Sequence, residues 1–225
     1  MDMKLSDKTI SLLENFSSIN QSILVKKGSK LRTISVMKNI LAEADIDENF
    51  ERDFGIYELP QFLNGINLMN DPDLDLRNET YMIIRDGKST KVKFAFADPD
   101  CIISPPEKGV TLPSRDVSFQ LDGIQLQKLL KASSVYQLPD LSAVGDGREV
   151  TMVVSDRKND NSNEFSLVVG RTDQVFEFNF KIENIKLIPG TYEVTISKSL
   201  LSKFTNTNYS LDYFIALEPD STYEE

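Results

Sequence analysis

A stretch made of a helix, two strands and a glycine turn occurs twice in this chain, and that duplication restricts the accessible folds more than any other feature. In the later copy Asp122 is placed to cap a helix. Leu126, Leu129, Leu130 and Ser133 then recur at i, i+3, i+4 and i+7, on one face. At roughly 100° per residue, Lys128 and Lys131 point the other way. In the earlier copy Ser6 is the cap and Leu5, Thr9, Leu12, Leu13 and Phe16 form the face. Ile23 to Ser35 follows as strand, turn at Gly28, strand; Ser142 to Ser155 repeats that pattern about Gly147. The copies are offset by 117 residues at the leucine pairs and 119 at the glycines, so one half of the chain repeats the other.

Each half continues in kind. Phe54 and Ile56 predict a strand, and Leu59, Phe62, Leu63 and Ile66 a helix opened by Pro60. Their counterparts are Phe176, Phe178 and Phe180, alternating with polar residues, and a short helical segment stopping at Pro189-Gly190. Strands follow at Tyr81–Ile84, turning at Asp86-Gly87 into Lys91–Phe96, and at Tyr192–Ile196 and Leu211–Leu217. The expected fold is α+β, with two tandem duplicated domains and two short helices per domain packed on antiparallel sheets. Ile102 to Ser114 holds three prolines and Gly109 and reads as an extended linker. Domains are therefore expected at 1–106 and 117–225, joined by a connector at 107–116. The acidic tail Glu218–Glu225 is expected to be mobile.

Composition excludes several classes of chemistry. No histidine is present, which removes Ser-His-Asp, Cys-His and His-based zinc designs. Cys101 is the one cysteine and forms no internal disulfide, which together with the lack of a signal-peptide pattern predicts a reducing cytosol. A net charge of -10 argues against coating nucleic acid with the whole surface, though not against a locally basic channel. Lys128 and Lys131, on an acid-free helix, run against that overall sign.

Apparent motifs fail on their chemistry. Gly87-Lys88-Ser89-Thr90 resembles the end of a phosphate loop, but Met82 stands where its upstream glycine belongs and the segment joins two strands. Asp71, Asp73 and Asp75 echo a calcium loop, but Leu76 replaces its glycine and Met82 its bidentate glutamate. Glu177 and Glu183 have no apolar pocket in the pattern to raise a pKa. The phenylalanine stripe reads as a sheet core rather than a base-stacking platform. No catalytic constellation is present and no cofactor is expected.

Met3-Lys4-Leu5-Ser6, Ile56-Tyr57-Glu58-Leu59 with Phe62-Leu63, and Ala97-Asp98-Pro99 stand in the first half. Leu126-Gln127-Lys128-Leu129-Leu130, Phe178-Asn179-Phe180, Pro189-Gly190-Thr191-Tyr192 and Ala216–Thr222 stand in the second. In this order and spacing they resemble the DNA polymerase sliding clamps, or processivity factors, of T4-type bacteriophages, from Met3 to the end of the chain. The resemblance implies a non-enzymatic homotrimer, a six-domain ring of the DNA-clamp fold that encloses duplex DNA. Such a ring tethers the polymerase through its C-terminal peptide and is opened by an ATP-dependent clamp loader. It also implies a role in late transcription, in the cytoplasm of the infected bacterium and with no membrane partner.

On that resemblance Lys4, Lys8, Lys128, Lys131, Lys181 and Lys186 face the hole, because they lie on or beside the expected helices. The subunit seam falls to Lys91, Lys93, Phe94 and Phe96 against Glu164 and Leu167. Val110, Leu112, Pro113, Leu217 and Pro219 either form a partner-peptide pocket or pin the connector to its domains. The competing expectation is an adaptor of duplicated α+β domains that does not bind DNA.

Overall fold

The structure, a computed structural model, describes residues 2–87 and 89–224. Lys88 of the apparent phosphate-loop motif and Glu225 of the tail lie outside the described residues. The chain divides into two compact units, Met1–Glu107 and Lys108–Glu225.

In the first unit β1 (Asp2–Met3) leads into α1 (Asp7–Ile19). Next come β2 (Ile23–Val25), β3 (Gly28–Ile34), β4 (Ile40–Phe50) and β5 (Phe54–Ile56). Helix α2 (Leu59–Asn67), β6 (Asp73–Asp75), β7 (Tyr81–Asp86) and β8 (Thr90–Ala95) complete it. The hairpin β3–β4 is antiparallel, and a four-stranded sheet runs β1-β6-β7-β8. Helix α1 buries Thr9, Leu12, Leu13 and Phe16 of the expected face, with Ile19 added and Leu5 only half-buried, against β3, β4 and α2, while α2 buries Leu59, Phe62, Leu63 and Ile66. Each such apolar side chain removed from water is worth about 1.5–3 kcal/mol.

Asp86 pairs with Thr90, so Gly87 sits in a tight hairpin turn with φ of 60°. Among the described residues no group of three His, Cys, Asp or Glu side chains is placed to hold a metal ion. In the acidic loop, Asp71 pairs with Lys4 and Asp75 with Arg77, whose guanidinium holds the Asp75 carboxyl well below the usual carboxylate range.

The second unit opens with β9 (Val117–Leu121) and α3 (Gly123–Tyr136). Then follow β10 (Asp140–Asp146), β11 (Glu149–Ser155), β12 (Phe165–Arg171) and β13 (Val175–Lys181). The remaining strands are β14 (Tyr192–Ser197), β15 (Leu201–Asn206), β16 (Leu211–Ala216) and β17 (Thr222–Tyr223). One sheet runs β12-β11-β10-β13-β17, and in another β16, β15, β14 and β9 pair in that order. Phe176, Phe178 and Phe180 are all buried, as a core stripe requires, with the Phe176 and Phe178 rings 5.2 Å apart. Gly145 lies opposite Phe176, and a Cβ there would come within 2.3 Å of that ring.

Three expectations need correction. The fourth helix is only a 3-10 turn, Ile182–Asn184. The buried tyrosines take over the backbone beyond it: the Tyr192 hydroxyl donates to Ile188 O at 2.7 Å and Ile188 N donates to the Tyr213 hydroxyl at 3.3 Å. Pro189 has no N–H to continue a helix.

The second correction concerns the repeat. β10 and β11 form the expected hairpin, but β2 pairs with β5 instead of β3. Asp53 closes the end of that pair: its carboxylate accepts from Lys27 N at 2.7 Å and from Lys26 Nζ at 2.9 Å. Third, the tail is fixed as far as Glu224. Asp220 pairs with Arg157 at 2.6 Å, Asn179 N donates to Ser221 Oγ at 2.9 Å, β17 pairs with β13, and Glu224 N donates to Val175 O at 3.0 Å.

Candidate nucleic-acid interface

Helix α3 is closed at both ends by its own sequence. The Asp122 carboxylate accepts from Gln125 N at 2.7 Å while Gln125 Oε1 accepts from Asp122 N at 3.0 Å, a reciprocal cap. At the other end Gln137 takes a left-handed conformation, φ 55°, and Ser133 Oγ donates to Leu138 O. Leu126, Leu129, Ala132 and Ser133 are buried, and α3 packs across β11 and β12. Gln127, Lys128, Lys131 and Ser134 are exposed, as are the larger apolar side chains Ile124, Val135 and Tyr136 towards the two ends of the helix. Neither lysine makes an ion pair among the described residues, and α3 contains no carboxylate. The middle of the helix therefore carries a small positive patch edged by amide and hydroxyl groups, suited to a polyanion, between the exposed Ile124 and the exposed Val135 and Tyr136.

Helix α1 differs. Its cap includes Glu48, reaching from β4 to accept from Ser6 N and the Thr9 hydroxyl. Burial alone would raise the Glu48 pKa, but these hydrogen bonds outweigh it and leave the carboxyl below its ordinary value. Lys8 pairs with Asp47 at 3.6 Å, and Asp7 and Glu14 are exposed. Lys4, just before the helix, is exposed and paired with Asp71, whose hydrogen bond raises its pKa. Helix α2 exposes Gln61, Asn64 and Asn67 and has no charged residue. In the sequence only the exposed phase of the helical period marks these amides.

Lys181 and Lys186 are not on a helix. Lys181 ends β13 and its ammonium bonds to Asp140, which is 2% exposed; that hydrogen bond raises the lysine pKa. Lys186 is half-buried in the loop before β14.

Two strands stand apart. Among the described strands of three or more residues, β8 and β12 alone contain no buried residue, and each ends its sheet. Lys91 and Lys93 are exposed on β8, with the Lys93 ammonium 4.2 Å from the Tyr81 ring centroid. Phe94 and Phe96 are half-buried, their rings 5.4 Å from Phe62 and 5.1 Å from Phe54. Leu167 is half-buried on β12, and Glu164 is exposed just ahead of it. Val168, unremarked in the sequence, is 51% exposed.

The connector is tied at each end. Arg32 Nη1 donates to Pro106 O at 2.9 Å, and Lys198 N donates to Asp116 Oδ2 at 2.8 Å. Of the connector-pocket residues, Leu217 is buried with its N–H on Leu200 O, Val110 and Leu112 are half-buried, and Pro113 and Pro219 are exposed.

A family model described as DNA polymerase processivity factor matches residues 4–103, and one described as gp45 sliding clamp, C terminal, matches 118–219. The chain is 32% identical to the sliding clamp of Vibrio phage KVP40, covering 96% of this chain and 99% of that protein. It belongs to the sliding-clamp family. Identity to the sliding clamp of Enterobacteria phage T4 is 30%, over 99% of this chain and all of that one. The fold also matches A. fulgidus PCNA, solved with the C-terminal region of FEN-1 bound, with a TM-score of 0.71 at 12% identity, covering 98% and 99% of the two chains. Sliding clamps are processivity factors rather than enzymes. Among the described residues no helix is long and apolar enough to cross a membrane.

Proposed function

We propose that three copies of this clamp close head to tail around duplex DNA and hold the replicative polymerase on its template. The observation that carries the reading is the pair of uncovered strands. β8 ends a sheet of the first unit and β12 one of the second, and each presents half-exposed apolar residues and an unpaired edge. Pairing β8 of one copy with β12 of the next is a heterologous contact, which makes a ring when the rotation closes. Lys91, Lys93, Phe94, Phe96, Glu164 and Leu167 then belong to the seam, and 107–116 connects the domains.

Within the ring the helices face the phosphates. Lys128 and Lys131 are the principal cations, with Lys4, Lys8, Lys181 and Lys186 contributing against the carboxylates that hold the first three. An anionic exterior repels DNA from outside, so retention comes from enclosure and the clamp slides. Val110, Leu112, Pro113, Leu217 and Pro219 receive the polymerase's C-terminal peptide, a reading supported by the peptide-bearing A. fulgidus PCNA. An ATP-dependent loader and late-transcription factors use the same surface in the cytoplasm of the infected bacterium.

The test is light scattering on Ala95→Asp and Val168→Asp, exposed edge positions that spare the Phe94–Phe62 contact. The wild type is expected at three chains and each variant at one chain of 25.5 kDa with an unchanged thermal midpoint. A wild-type monomer at micromolar concentration would instead support the adaptor reading. Loaded protein should stay on circular DNA and run off linear DNA, and reversing Lys128 and Lys131 together should abolish that retention. Loss of peptide affinity in Leu112→Ala separates a peptide pocket from a mere connector anchor.

A further inference from the structure

The first unit holds a cavity of about 640 Å³ that the ring reading leaves unused. It is lined by Ser17 to Ser22 at the end of α1, by Tyr57 and Glu58 at the start of α2, and by Val36, Cys101 and Ile103. Three of these are apolar side chains open to solvent: Val36 is 63% exposed, Tyr57 57% and Ile103 40%. Exposed apolar side chains are ordinary when scattered. Three converging on one concavity, rimmed by hydroxyl and amide groups, have the form of an anchoring site with a polar border.

The electrostatics select the occupant. Helix α1 ends here with no basic residue in its last turn, so the negative end of its dipole is uncompensated by its own side chains. Glu58 occupies the N-cap position of α2 but makes no capping hydrogen bond, leaving an exposed carboxylate in the wall. Asp98 caps the short turn Pro99–Cys101 and Asp100 lies within it, and both are exposed. No lysine or arginine lines the cavity; Lys38 lies in the turn beyond Val36 but is not part of the wall.

We propose that this cavity docks an extended protein segment that seats one bulky apolar side chain among Val36, Tyr57 and Ile103 and sets a neighbouring lysine or arginine against Glu58 and the end of α1. The site involves neither of the two uncovered strands nor the basic face of α3, so ring closure and this docking can fail independently.

Cys101 supplies the reporter, because it is the chain's single cysteine, is exposed and lies in the wall. The full chain is treated with iodoacetamide, and Cys101 alkylation is followed by intact mass in the presence of three ten-residue peptides. One places a leucine between lysines, one the same leucine between glutamates, and one an alanine between lysines. The leucine–lysine peptide is expected to slow alkylation at least 5-fold at saturation, and the other two by less than 2-fold. Glu58→Lys should transfer protection to the leucine–glutamate peptide. Tyr57→Ser should weaken the leucine–lysine peptide about 10-fold while leaving light-scattering mass unchanged. Equal protection by the lysine and glutamate peptides, protection by none, or indifference to Glu58→Lys would overturn the proposal. So would protection by a short DNA duplex at least as strong as by the leucine–lysine peptide, which would mark a phosphate site instead.

Discussion

Helices α1 and α3 begin with a polar cap, bury leucines against the core (Leu12 and Leu13 on α1, Leu126 and Leu129 on α3, with Leu130 half-buried) and pack on antiparallel strands, yet solvent sees opposite charges on them. Helix α1 has one lysine against two carboxylates, and that lysine is paired with Asp47. Helix α3 has two lysines, no carboxylate, and no ion pair among the described residues. The cores can be interchangeable because apolar burial is non-directional, whereas a charge is only as available as its neighbours leave it. The caps differ likewise: α3 closes on Gln125, the third residue of its own helix, and α1 closes on Glu48 from strand β4.

The largest effect should come from that cap. Replacing Glu48 by Ala removes a carboxylate bound by two donors and is expected to cost about 2–3 kcal/mol in urea unfolding. Because the folded Glu48 pKa lies below the unfolded one, its contribution is present above the unfolded pKa and lost as pH falls through the folded one. Stability should thus decline below about pH 4.5 in the wild type and more shallowly in Glu48→Gln. An equal slope in both would mean that α1 does not depend on β4 for its cap.

Next in size is Lys181→Ala, which strands the buried Asp140 carboxylate and should cost on the order of 2 kcal/mol, below the roughly 3–5 kcal/mol of a fully buried pair because the lysine is partly exposed. That loss would mark Lys181 as primarily structural and sharpen its contrast with α3. Asp122→Ala should cost about 1 kcal/mol, a local cap and no more. A loss as large as that for Glu48 would erase the distinction between the two helix starts.

The smallest change in folding is expected at Lys128→Ala and Lys131→Ala, each within about 0.5 kcal/mol of wild type. On DNA the order inverts. Each removes one lysine per subunit and should lower the salt-dependence slope of binding by about one for every subunit that touches the duplex, up to about three per ring, while Lys8→Ala, already paired with Asp47, should lower it less. Equal slopes would show that the ion pair to Asp47 opens on DNA.

Periodicity and capping residues carried the two halves, α1, α2 and α3, and most strands, since these depend on residues close in sequence. The uncovered strands were partly visible too: Lys91, Lys93, Phe94 and Leu167 fall on or beside them. The 3-10 turn was not, because the backbone beyond it at Ile188 is bonded by tyrosine hydroxyls from β14 and β16. Nor was the β2–β5 pairing, which joins residues about thirty apart along the chain, with Asp53 bonded to Lys26 and Lys27 at its end.

By itself the sequence determined the duplicated α+β plan, the absence of histidine chemistry and the acid-free face of α3, each a matter of residue type and local period. Only the tertiary structure decided which lysines remain available. Whether Lys4, Lys8 and Lys181 meet a phosphate or a carboxylate depends on Asp71, Asp47 and Asp140, which lie 67, 39 and 41 residues away along the chain. The energy of a charge is set by distance in space, and folding alone creates those distances.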